Sequence, residues 1–253
     1  MLRRALVAGV RAFNRNPWTS ERLELFPRDA RPLYAEDGLW SYRRHSFIED
    51  HRFRAAYQRA VTAAGFDYEI RWRVHTALWA ASTAATVDGA FVECGTGRGF
   101  VASAICEYLA WECRPFYLYD TFEPTRLDAV GVRTDEIHPC YAASVDDVRK
   151  NFAKWPGTRL VVGELPGTLS ESPDQVAFLH MDLNYAPVEK VAVRHFWPRM
   201  APGAVLLYDD YGYEGLEAIQ RAADELSHEL GFTILASPTG QGIAVKPGPR
   251  ASY

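Results

Sequence analysis

Two short apolar runs in this chain end abruptly in acid. VAFLHMDLNY, from Val176 to Tyr185, carries Asp182, and GAVLLYDDYG, from Gly203 to Gly212, carries Asp209 and Asp210. Runs of this length and apolarity predict parallel strands buried on both faces, each delivering its carboxylates at the carboxyl end. The segment between them, Val188 to Met200, has helical character, so the three pieces form a βαβ unit with the two strands side by side. Carboxylates that converge at a strand-end crevice repel one another until a cation or a shared proton neutralises them. A hard divalent ion, held by Asp182, Asp209 and Asp210, is the economical solution. His180 lies two residues before Asp182 and shares its face of the strand, either as an orienting group or as a plain buried histidine.

A second chemical signal lies upstream. Gly89 to Glu93 is a short predicted strand, and CGTGRG leads from it into a helix expected over Phe100 to Trp111. Glycines at such a turn let the backbone approach a ligand closely, although a tight connection needs them too. The spacing is GxGxG, with Phe100 where a dinucleotide fingerprint wants a small residue; that bulk disfavours a pyrophosphate and suits a ligand without one. The next strand, PFYLYD from Pro115, ends at Asp120. A carboxylate at the end of a second strand can accept from both hydroxyls of a ribose, or it can cap the following turn.

The remaining elements must hold these ends together. The chain has 253 residues, 48% of them apolar, enough for one α/β domain with an appendage. A net charge of −4 argues against nonspecific nucleic-acid binding. Four cysteines, Cys94, Cys106, Cys113 and Cys140, have neither paired nor metal-ligand spacing, which predicts buried thiols and a reducing, cytoplasmic setting. MLRRALVAGVRAF at the start is too short for a membrane span and reads as a basic amphipathic helix. Residues 14–49 are broken by prolines and form an extended arm. Helices are expected over Asp50 to Ala64, Ile70 to Thr86, Ser144 to Trp155 (with Asp147 completing a capping box on Ser144) and Glu214 to Leu230. Arg71 and Arg73 open the second of these helices as solvated charges, with a position over Trp72 or over a ligand as the alternative. Arg159 to Gly163 is a further strand, and Phe232 to Ala236 and Gly242 to Lys246 form an antiparallel hairpin at the sheet edge. Glu123 to Tyr141 is a long connection of the kind that makes an active-site loop. The alternation defines a doubly wound α/β fold: a mostly parallel seven-stranded sheet with an antiparallel carboxy-terminal hairpin and an amino-terminal helical cap.

FVECGTGRGF, YLYDTFE, VRKNF with VVGELPGTL, FLHMDLNY, LLYDDYG and SPTGQG occur in the order found in class I S-adenosylmethionine-dependent methyltransferases. The set most resembles the macrocin O-methyltransferase type, which methylates sugar hydroxyls of glycosylated natural products and uses magnesium. The resemblance runs from about Tyr68 to Lys246. It implies an adenosylmethionine-binding domain over residues 68–253 and an amino-terminal arm and cap over residues 1–67 that shapes the substrate pocket. It also implies that Glu93, Gly95 and Gly97 contact the methionine part of the cofactor and that Asp120 takes the ribose hydroxyls. Gly163 and Glu164 would lie beside the adenine, with Cys94, Thr96, Thr121 and Asp182 in the same cofactor-binding set. Asp182, Asp209 and Asp210 match the metal ligands, and Asp182 with His180 the catalytic pair, Asp182 as base. Three positions depart from the pattern: Asn184 stands for the second acid of HxDxD, Pro124 for the glycine of DTFEG, and Val101 for a hydroxyl, with Ser103 two positions on.

The expected activity is therefore an adenosylmethionine- and Mg2+-dependent O-methylation of a small-molecule hydroxyl, with a sugar as acceptor. A metal-independent or phenol-directed methyltransferase of the same fold is the nearest alternative. A dinucleotide-dependent oxidoreductase is the alternative from another class, opposed by Phe100 and by the lack of a YxxxK pair at a strand end. The expected partners are the acceptor and further copies of the chain, as a homo-oligomer, with neither nucleic acid nor membrane.

Overall fold

The computed structural model describes residues 32–123 and 144–248. The expected amino-terminal helix, most of the proline-broken arm, Cys140 and nearly all of the connection from Glu123 to Tyr141 lie outside these residues. The chain divides into two compact units, Met1–Ala35 with Trp40–Arg44, and Glu36–Leu39 with His45–Tyr253. Strands β1 (Tyr34–Glu36) and β2 (Leu39–Ser41) pair as a hairpin. Its two-residue tip is Asp37-Gly38, with φ of 49° and 70°. Both being positive, this is the turn geometry that Asp-Gly favours.

The larger unit is built on a seven-stranded sheet, β3 (Ala90–Cys94), β4 (Phe116–Asp120), β5 (Thr158–Val162), β6 (Val176–Met181), β7 (Met200–Tyr208), β8 (Leu235–Ala236) and β9 (Gly242–Val245). The spatial order is β5-β4-β3-β6-β7-β9-β8, parallel except for β9, which runs antiparallel to both β7 and β8. Strand order reverses between β3 and β6. A doubly wound sheet opens its ligand crevice at such a reversal, outside the carboxyl ends.

Among the described residues six α-helices flank the sheet: α1 (His51–Ala64), α2 (Arg71–Ala84), α3 (Phe100–Tyr108), α4 (Val145–Phe152), α5 (Ala186–Phe196) and α6 (Glu217–Leu230). Side chains alternate along each strand, so one apolar layer takes Phe91, Phe178, Val205 and Leu207 with α1, α2 and α3. The other takes Val92, Leu179, Leu206 and Tyr208 with α5 and α6. Phe178 is completely buried among aromatic neighbours, and truncating such a residue to alanine costs about 3–5 kcal/mol. Helix α1 starts on Asp50, whose side chain accepts from the Phe53 N–H at 2.9 Å, and it stops at left-handed Gly65. Ser144 caps α4 only through its backbone carbonyl, so the expected capping box does not form. The strand predicted over Phe232 to Ala236 shrinks to its final two residues, and α5 passes into β7 through a short turn at Trp197–Arg199. Among the described residues no helix is long and apolar enough to cross a membrane. Cys94 and Cys106 are buried as expected, whereas Cys113 is exposed in the connection before β4.

Candidate active site

Residues at the ends of β3, β6 and β7 form one polar cluster. The register sets Glu93 beside His180 and His180 beside Leu207. One step further, the Asp182 N–H bonds the Cys94 carbonyl and the Asp209 N–H bonds the Met181 carbonyl, both at 2.9 Å, which levels the two aspartates. Asp182, Asp209 and Asp210 each offer a carboxylate oxygen, and these oxygens lie within 4.8 Å of one another. Neighbouring parallel strands, each ending in acid, bring about this convergence.

A chain of buried polar groups runs behind the aspartates. His180 is fully buried; its Nδ1 meets Glu93 Oε1 at 3.0 Å and its Nε2 faces Asp209 Oδ1 at 3.7 Å. Burial lowers the affinity of this imidazole for a proton, but the hydrogen bonds and charges of Asp209 and Glu93 outweigh it, and the pKa is pushed up to about 10. His180 thus sits between two carboxyl groups, an orienting group rather than a plain buried histidine. Gln241, also fully buried, donates to Asp209 Oδ1 at 2.8 Å from the turn before β9.

The third partner of Asp209 is Arg73, from the first turn of α2. Its Nη1 lies 2.6 Å from Asp209 Oδ2, 3.0 Å from Asp210 Oδ1 and 3.0 Å from the Asp209 carbonyl, while its Nε lies 2.8 Å from Asp37 Oδ2 at the hairpin tip. Only 5% of this side chain is exposed. The expectation of a solvated arginine is therefore wrong for Arg73: three carboxylates compensate the charge that burial would otherwise strand. The ring it lies over is Tyr213, at 5.1 Å, not Trp72. Arg71 bonds Glu36 and Asp67 and lies over Tyr57.

These neighbours split the three aspartates. Burial raises Asp209, but Arg73 and then His180 overcome it and hold this carboxyl well below the usual range. Asp182 is driven well above its ordinary value, by burial first and by Asp209 and Asp210 next. Asp210 rises to about 6, from burial and the charge of Asp209, against the pull of Arg73. Glu189, in the first turn of α5, is pushed up to about 7 by burial and then by Asp210, and accepts the Leu183 N–H at 3.3 Å. It braces the turn that follows Asp182, where Asn184 sits at φ 56°. Asparagine tolerates that left-handed conformation better than most residues, a local reason for Asn184 in place of an acid.

The glycine turn adjoins this cluster. Gly95 packs against the backbone of Asp182: a Cβ there would lie 1.9 Å from the Asp182 carbonyl oxygen. Gly97, at φ 51°, meets nothing within 4 Å. Its N–H donates to Asp120 Oδ2 at 2.7 Å, and Asp120 Oδ1 accepts the Phe122 N–H at 2.8 Å. Asp120 thus caps its own turn and also ties β4 to the glycine turn, with lone pairs left on both oxygens. Two polar atoms of the same turn, Glu93 Oε2 and Thr96 Oγ1, are buried, and burial holds the Glu93 carboxyl above its ordinary value against the pull of His180 and of the Thr96 hydroxyl. The open Gly97 beside Asp120, whose oxygens keep lone pairs, fits a cofactor that brings hydroxyl groups. Thr121 accepts the Glu123 N–H, and Gly163 donates to the Asp120 carbonyl, so the stretch to Glu164 borders the same strand ends. Cys94 packs its thiol into the apolar layer against α5, leaving its backbone at the turn. Ser103 is buried and spends its hydroxyl on the Phe100 carbonyl.

The topology, the glycine turn and the acidic strand ends together define a class I methyltransferase fold. Residues 92–211, just under half of the chain, match the family model described as a methyltransferase domain. Among solved structures it resembles the O-methyltransferase NovP, with TM-score 0.62 and 17% identity over 80% of this chain and 99% of that one. It also resembles the calicheamicin methyltransferase CalS11, with TM-score 0.54 and 14% identity over 68% and 79%. A third is the O-methyltransferase from Bacillus cereus in complex with SAH, with TM-score 0.51 and 14% identity over 78% and 91%. At such identities the likeness is one of fold. No curated protein matches the sequence significantly.

The sequence singles out neither Asp37 nor Glu189, and it reaches Arg73 only as a charge over Trp72 or a ligand and Gln241 only within SPTGQG. For Asp37 the available signal is Asp-Gly at 37–38, a strong hairpin dipeptide that marks a turn with an acid at its tip.

Proposed function

We propose that the protein is a Mg2+-dependent O-methyltransferase acting on a hydroxyl of a small molecule, a sugar of a glycosylated natural product. The observation that carries this reading is the convergence of Asp182, Asp209 and Asp210. With Asp37 and Glu93 they make five carboxyl groups around Arg73 and His180 among the described residues, and the crowding makes Asp182 and Asp210 hold protons above their ordinary range. A dication would take the place of those protons, and hard oxygen donors are what Mg2+ takes. The sugar acceptor is supported by the ordered motifs and by a fold shared with a TDP-rhamnose 3'-O-methyltransferase, CalS11 (TM-score 0.52, 15% identity).

S-adenosylmethionine brings a methyl group on a sulfonium whose leaving group departs neutral, so the protein need not protonate it. Glu93 Oε2 and Thr96 would hold its amino-acid end, Gly95 and Gly97 would line it, Asp120 would take the ribose and Gly163 with Glu164 the adenine. The remaining work is to orient an acceptor oxygen and remove its proton, and alignment alone is worth up to about 7–11 kcal/mol for an ideally positioned pair. Asp182 is the base, exposed enough to meet an acceptor, while His180, locked between Glu93 and Asp209, fixes the strand ends. A bound Mg2+ would offset Asp209 and Asp210, favour the basic form of Asp182 and acidify the acceptor hydroxyl. Residues 1–67 complete the acceptor pocket in this reading, and the enzyme works as a cytoplasmic homo-oligomer.

A metal-free reading has one observation in its favour: Arg73 already pairs with Asp209 and Asp210. Methyl-transfer rate against Mg2+ concentration, on a panel of glycosides and phenols, separates the two. Asp209→Asn and Asp210→Asn should lose rate that excess Mg2+ partly restores. Asp182→Asn should lose about 10²–10⁴-fold without rescue, because an amide accepts no proton. Full wild-type activity in chelator would sink the metal role and leave Asp182 as a base beside Arg73.

A further inference from the structure

We infer that Arg73 is a resident cation of the acidic site, which a divalent metal must displace from Asp209 and Asp210, with Asp37 as the anchor that retains it. This rests on the divalent-cation reading of the site. One guanidinium nitrogen, Nη1, bridges an oxygen of Asp209 and an oxygen of Asp210, the two acids that adjoin in sequence at the end of β7. With Nη1 at 2.6 and 3.0 Å from these two oxygens, a metal that needs contacts of about 2.1 Å would meet the guanidinium charge on the side where the two carboxylates converge. The other Asp209 oxygen is committed to Gln241 and faces His180, so it offers no second route.

The fork of Arg73 is divided between two elements. Nε holds Asp37 at 2.8 Å, and Nη1 holds the strand end. Asp37 sits on the Asp37-Gly38 turn, a short rigid tip, and α2 carries the arginine. Arg73 can therefore give up its strand-end contacts while keeping one buried anion, which avoids leaving an unpaired charge. Metal binding is then coupled to the hairpin tip: the site trades one cation for another, and Asp37 sets how readily the trade occurs. Lysine could not do this, since a point ammonium lacks the fork that spans Asp37 and the two aspartates.

The test is Mn2+ binding to the full-length protein, read by electron paramagnetic resonance of free Mn2+, with no turnover involved. Arg73→Met removes the competitor and should tighten Mn2+ binding about tenfold or more; Asp37→Asn leaves Arg73 with the aspartates alone and should weaken it about threefold or more. A thermal melt checks that each variant folds. If Arg73→Met does not fold, Arg73→Lys replaces it and should also tighten binding, by less. Unchanged or weaker binding in the arginine variant, or unchanged or tighter binding in Asp37→Asn, overturns the inference. If wild type binds Mn2+ but loss of the guanidinium does not tighten it, only the inference falls. If neither wild type nor variant binds, the metal reading falls with it. Binding that emerges only in the variant supports displacement most directly.

Discussion

Gly95 and Gly97 lie two residues apart in one turn, yet alanine at each should fail in a different way. At Gly95, φ is 94°, and a Cβ would stand 1.9 Å from the Asp182 carbonyl oxygen and 2.6 Å from its carbon. Carbon–oxygen contacts settle near 3.3 Å, so the turn and the end of β6 must part by about 1.4 Å. The Asp182 N–H is bonded to the Cys94 carbonyl, and the Gly95 N–H to the Tyr119 carbonyl, so neither side gives freely. The left-handed strain costs about 1–2 kcal/mol and the overpacking about 1–3 kcal/mol, together about 2–5 kcal/mol. For a chain of this size that is a fall in Tm of about 5–20 °C. It also shifts Asp182, and a misplacement of about 1 Å costs about 100-fold in rate. At Gly97 nothing lies within 4 Å, so only the strain applies and Tm should drop by a few degrees, about 2–8 °C. The new methyl group would stand in open space at the turn whose N–H holds Asp120, and SAH affinity should fall by more than about tenfold. The measurements are a thermal melt and SAH calorimetry on both variants. If Gly95→Ala melts with wild type and keeps its rate, the close approach is not a constraint. If Gly97→Ala binds SAH normally, the turn does not cradle the cofactor.

Three further outcomes are expected. Asp120→Ala leaves the Gly97 and Phe122 N–H groups unpaired and removes a ribose acceptor, so SAH affinity should fall by about tenfold or more; calorimetry giving wild-type affinity would count against that role. Glu189 keeps in the fold, to about pH 7, a proton that the unfolded chain releases near 4.5. Because the native state binds more protons in that window, wild-type stability should decline between about pH 4.5 and 7, by up to roughly 3 kcal/mol. Glu189→Gln removes its share of that slope, Asp182 and Asp210 contributing in the same direction, and urea unfolding at pH 5 and pH 7 that gives equal slopes for both proteins would contradict the assignment. Phe178→Ala should lower stability by about 3–5 kcal/mol while leaving Mn2+ affinity within about twofold, since the ring lies in the apolar layer and its neighbour in the site is the His180 ring, with centroids 6.3 Å apart.

The apolar runs ending at Asp182 and at Asp209-Asp210 sufficed to predict a shared crevice. Strands buried on both faces must lie inside a parallel sheet, and the helix between them leaves little choice but adjacency. The glycine turn and Asp120 were legible for the same reason, since each sits at a strand end whose direction the alternation of elements fixes. Even the departure at Asn184 has a local cause in its left-handed backbone. What the sequence could not decide was which charges leave water. Arg73 and Arg71 stand two residues apart at the start of one helix, and nothing in their neighbours separates the one that bridges two strand-end aspartates from the one beside Tyr57. Arg73 meets Asp37 across 36 positions and Asp209 across 136. Pairs that distant exist only once α2 has packed on the sheet and a hairpin tip has brought its acid in. A cation loses its hydration only where such partners await it, so the electrostatics of the site belong to the tertiary structure, while the position of its three aspartates was written in the strands.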